Sequence, residues 1–220
     1  MTFICYKMTH DSGFAPNPFF DHLTLATCKP AIRRTKKLGD WVAGFASQKL
    51  VNNSKNEGLT IPYQGLIYLM RIGEVMTLDA YFRDSRFKNK KPTKNHQDRI
   101  KRSGDNIYYL NERGIYSQLS NNSHGNDLET INHDTRGNVL IADMSESFYF
   151  GKRCVIPENG WDEIGFIFSK GRTFYRADSD LENIRFFLHK KGFCPGIHGD
   201  PCLNVSQEEE IKACLSCSRR

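Results

Sequence analysis

Three groups of residues in this 220-residue chain are of types that chemistry uses. The first is Phe14, Asn17, Phe19, Phe20, Lys29, Arg33, Arg34 and Trp41, all within the amino-terminal fifth of the sequence. An aromatic ring offers a face on which a nucleobase stacks, worth about 1–3 kcal/mol per base. An Asn side chain holds both a donor and an acceptor for the base edge, and cations hold the phosphates beside it. Pro16 and Pro18 fix their own φ and push Ala15 and Asn17 toward extended geometry, so this loop is expected to be stiff. The plainer alternative puts Phe19, Phe20 and Trp41 in the core and leaves the prolines to shape a connection.

The second group is Asp40, Asp105, Asn106, His124, Asp127, His133 and Asp134, whose carboxylates and imidazoles suit acid–base work or a metal. Their spacing matches no catalytic motif; Asp40 reads as a turn cap and His133-Asp134 as part of an exposed loop. The third is Cys194, His198, Cys202, Cys214 and Cys217, a zinc alternative in which only Cys214-Leu215-Ser216-Cys217 has knuckle-like spacing. Cys214 equally suits the apolar stripe of a terminal helix. No metal is assigned, and no cofactor is indicated.

Other chemistries lack their signatures. There is no Gly-x-x-x-x-Gly-Lys-Ser/Thr loop, no Gly-x-Gly-x-x-Gly after a strand and no Gly-x-Ser-x-Gly elbow. The His-x-Glu and Pro-Cys-x-x-Cys pair of zinc deaminases is missing too. The odd count of seven cysteines is a poor disulfide framework. With neither a leader pattern nor a membrane-length apolar run, the expected setting is cytoplasmic, with reduced thiols and no membrane partner. A net charge of +6, with one cationic cluster at Lys29–Lys37 and another at Arg83–Arg102, points to a polyanionic partner.

The elements that must position these residues are short. Strands are expected at Phe3–Met8, Trp41–Ala46, Gly65–Val75, Val139–Ala142, Phe148–Phe150, Ile164–Phe168 and Thr173–Tyr175. A hairpin joins Ile107–Leu110 to Ile115–Leu119. Thr77 caps a helix over Leu78–Phe82, and two helices start near Ser179 and Ser206. Val51–Gly58, Lys88–Arg102 and Asn121–Arg136 read as polar loops.

Gly13-Phe14-Ala15-Pro16-Asn17-Pro18-Phe19, Leu25-Ala26-Thr27-Cys28-Lys29-Pro30, Ile32-Arg33-Arg34, Gly39-Asp40-Trp41 and Gly104-Asp105-Asn106-Ile107-Tyr108 resemble the Nucleotide modification associated domain 2 family. Ser123-His124, Val139-Leu140-Ile141 and Phe148-Tyr149-Phe150-Gly151 extend the likeness over roughly residues 2 to 190. More loosely, Gly39-Asp40 followed by Gly65–Val75 resembles the EVE and ASCH branch of the PUA-like barrels.

The fold expected is mixed α/β (α+β), with a bent, barrel-like β core of PUA-like type and peripheral helices. Residues 1–192 would form the domain and 193–220 a helical segment. The resemblance implies a base-modification system of phage or bacteria. Within it, the chain is expected to recognise a modified or flipped base, in DNA, through Phe14, Asn17, Phe19, Lys29, Arg33, Arg34 and Trp41. Two alternatives stand: an enzyme with Asp105 or His124 as acid or base, both lying in family-like segments, or an accessory scaffold for a base-modifying enzyme.

Overall fold

The computed structural model describes residues 1–203. In chain order come β1 (Phe3–Met8), β2 (Thr24–Leu25), α1 (Pro30–Thr35), β3 (Trp41–Ala46), α2 (Gln48–Asn56), β4 (Leu66–Met76) and α3 (Leu78–Arg83). A 3-10 segment, Ser85–Lys90, precedes α4 (Arg99–Arg102), β5 (Tyr108–Leu110), β6 (Tyr116–Gln118), α5 (Leu128–Asp134) and β7 (Val139–Ala142). Then follow β8 (Phe148–Tyr149), two 3-10 turns, β9 (Thr173–Arg176), α6 (Asp178–Lys190) and β10 (Gly196–Ile197). The fold is mixed α/β, and the chain forms two compact units that interleave along the sequence.

The first unit takes Met1–Asp11, Leu38–Gly73 and Asp143–Leu203. Its sheet runs β10-β8-β4-β3-β1-β9, with β1 and β3 parallel and β4 and β9 antiparallel to them. β10 and β9 end that path, which is therefore open rather than closed into a barrel. β3 is buried along its whole length, as an interior strand apolar on both faces must be. Phe3, Trp41, Phe45 and Trp161 pack with Leu181, Ile184 and Leu188 of α6 in one cluster. The helix starts where Asp180 Oδ2 accepts the Ala177 N–H at 3.1 Å.

Two segments of this unit depart from expectation. Residues 48–56 form α2 rather than a loop, because Ser47 Oγ accepts the Leu50 N–H at 3.3 Å and Leu50, Val51 and Ser54 share one buried face. Ile164–Phe168 is not a strand. Gly160 and Gly165, both at positive φ, bracket a 3-10 turn over Trp161–Ile164. That turn swings Phe166 and Phe168 onto Phe45, with ring centroids 5.5 and 5.0 Å away.

The second unit takes Ser12–Lys37 and Glu74–Ala142 among the described residues. β2 pairs antiparallel with β7, and β5 with β6 around the expected turn at Asn111–Gly114. Helix α3 packs on β5 and α5 on β6. Thr77 Oγ1 accepts the Ala80 N–H at 3.2 Å and starts α3, as its sequence position suggests. Phe14, Ala26, Tyr81, Phe87, Ile107, Tyr108, Ile131 and Val139 share its apolar core.

Two stretches expected to be loops here contain helix. Asp98 caps α4 through the Ile100 N–H at 2.9 Å, and Asp127 caps α5 through Thr130, N–H at 2.8 Å and hydroxyl at 2.7 Å. Phe87 and Lys90 are fully buried although their surroundings read as a solvated basic run.

Candidate functional site

The second unit holds a dense set of buried polar side chains, and they divide into two networks. The first centres on Lys90, whose ammonium is fully buried. It donates to Asn17 Oδ1 at 2.7 Å, Asn17 O at 3.2 Å, His22 O at 2.8 Å and Thr24 Oγ1 at 3.0 Å. Thr24 Oγ1 in turn donates to Asp105 Oδ2 at 2.6 Å, and Tyr81 OH donates to Asp105 Oδ1 at 2.9 Å. Thr24 thus links a buried cation to a buried carboxylate. Burial pulls the Lys90 pKa down to about 8, against the pull of Asp105. Burial likewise raises the Asp105 pKa, opposed by Lys90, Thr24 and Tyr81.

This network explains the Gly104-Asp105-Asn106 motif. The Asn106 N–H donates to Lys90 O at 3.0 Å, and its side-chain amide donates to Tyr81 O at 3.2 Å and Phe87 O at 3.1 Å. A Cβ on Gly104 would lie 2.2 Å from Lys90 O, so only glycine lets these two backbones meet. Gly104→Ala is expected to lower stability by about 1–3 kcal/mol through overpacking, read as a fall in the thermal midpoint. An unchanged midpoint would show that the two segments do not approach this closely.

The second network centres on His124, 5% exposed. Its Nε2 lies 3.7 Å from Cys28 Sγ and 3.6 Å from Asp134 Oδ2, and Tyr108 OH lies 3.4 Å from Nδ1. Phe14 packs beside the imidazole with ring centroids 5.6 Å apart. Asn121 Oδ1 accepts the Ser123 and His124 N–H groups at 2.9 and 2.6 Å, which fixes the backbone that presents the ring. Burial disfavours the imidazolium, but the bond to Cys28 and the charge of Asp134 outweigh it, and the His124 pKa stands above its ordinary value.

Arg33 completes this network from α1. Its guanidinium donates to Asp134 Oδ1 at 2.7 Å, Asp134 O at 2.6 Å, Asn138 O at 3.0 Å and Cys28 O at 2.6 Å. Gly137 has no side chain because the Arg33 Cβ lies 2.8 Å from where its own Cβ would stand. Asp134 Oδ2 is buried without a hydrogen bond, so that oxygen is left facing the imidazole.

The residues expected to read a base are dispersed. Trp41 is 2% exposed in the first unit's core, with the Arg185 guanidinium 5.3 Å from its ring centre. Phe14 and Arg33 are buried in the second unit. Asn17 spends its amide internally, donating to Ser103 O at 2.7 Å and accepting from Lys90 and from the Phe19 N–H at 3.2 Å. Phe19, Phe20 and Lys29 are half-buried and Arg34 is exposed. Of the acid–base candidates, Asp40 accepts the Thr2 N–H at 2.7 Å, Asp105 is enclosed as described, and His124 and Asp134 meet. His133 is half-buried on α5.

In the first unit, Cys194 is exposed and Cys202 is buried, its N–H donating to Asp11 Oδ2 at 3.0 Å. His198 Nε2 lies 2.8 Å from Cys194 O. Cys214, Cys217 and the expected helix from Ser206 lie outside the described residues. Among the described residues no group of three or more His, Cys, Asp or Glu side chains is arranged to hold a metal, and no helix is long and apolar enough to cross a membrane.

Sequence reasoning did not single out Cys28 as a partner of His124, because 96 positions separate them. Nor did it find Phe82 and Tyr109, whose rings stack with centroids 4.8 Å apart at 29°. The Lys91 ammonium sits 3.7 Å from the centre of the Phe82 ring. These two rings line an open cleft of about 630 Å³ together with Arg83, Glu112 and Arg113. The alternation of strand β5 carries the signal: Tyr108 turns into the core and Tyr109 turns away from it.

Neither a curated protein nor a solved structure matches the chain. A family model described as Nucleotide modification associated domain 2 matches residues 1–209, which takes in both units and every residue of the two buried networks. With nearly the whole chain matched, the protein belongs to the Nucleotide modification associated domain 2 family, whose name ties it to systems that modify nucleotides.

Proposed function

We propose that this chain binds nucleic acid within a base-modification system and recognises an unstacked base, displaced from its duplex or single-stranded, in DNA. The observation that carries the reading is the Phe82–Tyr109 stack with the Lys91 ammonium against it, at the edge of a cleft bordered by Arg83 and Arg113. A half-exposed ring pair extends a base stack, and ammonium and guanidinium groups beside it meet the phosphates. The exposed lysines Lys88, Lys94 and Lys101 lie in the same stretch of sequence and add to the positive field. Glu112 opposes it, and Arg83 is already paired with Asp79 at 2.8 Å.

On this reading base contact falls to Phe82 and Tyr109 rather than to Asn17 or Trp41, whose side chains are buried. Tyr109→Ala is expected to weaken binding of a single-stranded oligonucleotide by about 1–3 kcal/mol, with Lys91→Ala flattening its salt dependence. Fluorescence anisotropy over a salt series measures both. Binding that is unchanged in both variants would remove the reading. A second reading, an enzyme, is favoured by the His124 network.

A further inference from the structure

Cys28 comes from a stretch of chain 96 positions before His124, and these two meet Asp134 around one imidazole nitrogen. We propose that they form a nucleophilic centre in which His124 takes the thiol proton and the Cys28 thiolate adds to C6 of a pyrimidine base. A nucleophile within reach of a base, with the base held by a third group, is the arrangement that activates cysteine.

The protonation states follow from the neighbours. Tyr108 OH sits at Nδ1, so a neutral imidazole that donates Nδ1–H to the Tyr108 oxygen turns its Nε2 lone pair toward Cys28 Sγ. That lone pair also faces Asp134 Oδ2 at 3.6 Å, and lone pair against carboxylate is repulsive. Moving the thiol proton to Nε2 removes the repulsion and gives one N–H shared between sulfur and carboxylate. Arg33 holds the other carboxylate oxygen at 2.7 Å, which aims Oδ2 at the ring. Among the described residues, Arg33, Asp134 and Tyr108 are charged or titratable groups that face the pair. The raised His124 pKa agrees with this arrangement.

Access and strain suit a working residue. His124 and Asp134 are buried, whereas Cys28 is only half-buried. Cys28 and Lys29 are consecutive non-glycine residues in the left-handed region, at φ 53° and 48°. Arg33 Nε, bonded to Cys28 O at 2.6 Å, holds that conformation.

The substrate class rests on the function proposed above, whereas the reactivity of the thiol does not. Among unmodified bases, the conjugated C5=C6 bond of a pyrimidine is the carbon acceptor suited to a soft thiolate. The S–C6 bond forms, the π pair passes through C5 into the conjugated C4 substituent, and C5 takes a proton from water. Reversal removes a proton from C5 and expels the thiolate, restoring the base. The cycle needs no oxidant or co-reactant, and its net result is exchange of the C5 hydrogen with solvent.

The full chain is labelled with iodoacetamide from pH 5.5 to 8.5, and the peptides carrying Cys28 and exposed Cys194 are followed by mass spectrometry. Cys28 is expected to react at least about 10-fold faster than Cys194 at pH 6, and His124→Asn to remove the advantage. Should that variant not fold, the wild-type profile decides: the Cys28 rate must stay high at pH values where the Cys194 rate falls. Parallel profiles would overturn the centre. In deuterated buffer, a single-stranded oligonucleotide of deoxycytidine and deoxyuridine is expected to gain deuterium at C5, and Cys28→Ser to abolish this. A primed thiol with no exchange would overturn the pyrimidine assignment. Loss of oligonucleotide binding in Tyr109→Ala, measured separately, reports on the function proposed above.

Discussion

Arg33→Ala is expected to cost about 3–5 kcal/mol of stability, the range for breaking a buried ion pair from one side. The guanidinium is wholly enclosed, and its partner Asp134 is 2% exposed. Removal leaves a carboxylate in the interior of the second unit without its cation. It also strips a donor from the carbonyls of Cys28, Asp134 and Asn138. Arg33→Lys restores the charge but not the fork, since one ammonium cannot reach four acceptors spread over three residues and both ends of the cluster. It should recover part of the loss only. Urea unfolding followed by circular dichroism measures both variants. Asp134→Asn in the Arg33→Ala background is the control: it should recover stability by removing the stranded charge. If Arg33→Ala unfolds with the wild-type midpoint, the enclosed pair is not there.

Lys90→Met is expected to show a pH signature. Below its folded pKa of about 8, Lys90 is charged in both folded and unfolded chains, and the full cost of burying the charge is present. Between about 8 and the ordinary lysine value of 10.5, the unfolded chain binds more protons than the folded one. Stability therefore rises with pH across that window, by roughly 3 kcal/mol in all. Methionine has no proton to lose, so the variant lacks this rise. At pH 7 it should already be less stable by a few kcal/mol, because Asn17, His22 and Thr24 lose their shared donor, at about 1–3 kcal/mol for a buried group left unsatisfied. The gap between wild type and variant should widen toward pH 10.5. A gap that stays constant from pH 7.5 to 10.5 would show that Lys90 titrates as a solvated lysine.

Both results bear on how far the sequence could be read. Thr77, the Asn111–Gly114 turn and the Leu181, Ile184, Leu188 stripe were legible because each acts over a few residues, where spacing maps directly onto geometry. The helix α2 was legible in principle, since Ser47 stands three residues before Leu50, but its polar composition masked the cap. The Gly-Phe-Ala-Pro-Asn-Pro-Phe stretch was singled out correctly as unusual and belongs to the family match. Two of its side chains turn inward all the same: Asn17 is the acceptor that buries Lys90, and Phe14 is the wall of the His124 network.

What the sequence settled by itself was the mixed α/β character, the family and most strands, because periodicity and local capping are written in neighbouring residues. Tertiary structure decided which polar residues are spent inside and which face outward. A lysine in a basic run and an arginine in a basic cluster look solvated in one dimension, yet Lys90 and Arg33 are enclosed because partners 66 and 101 positions away meet them. The same long-range closure brings Cys28 to His124, since no local pattern encodes the pairing of side chains from distant stretches of chain.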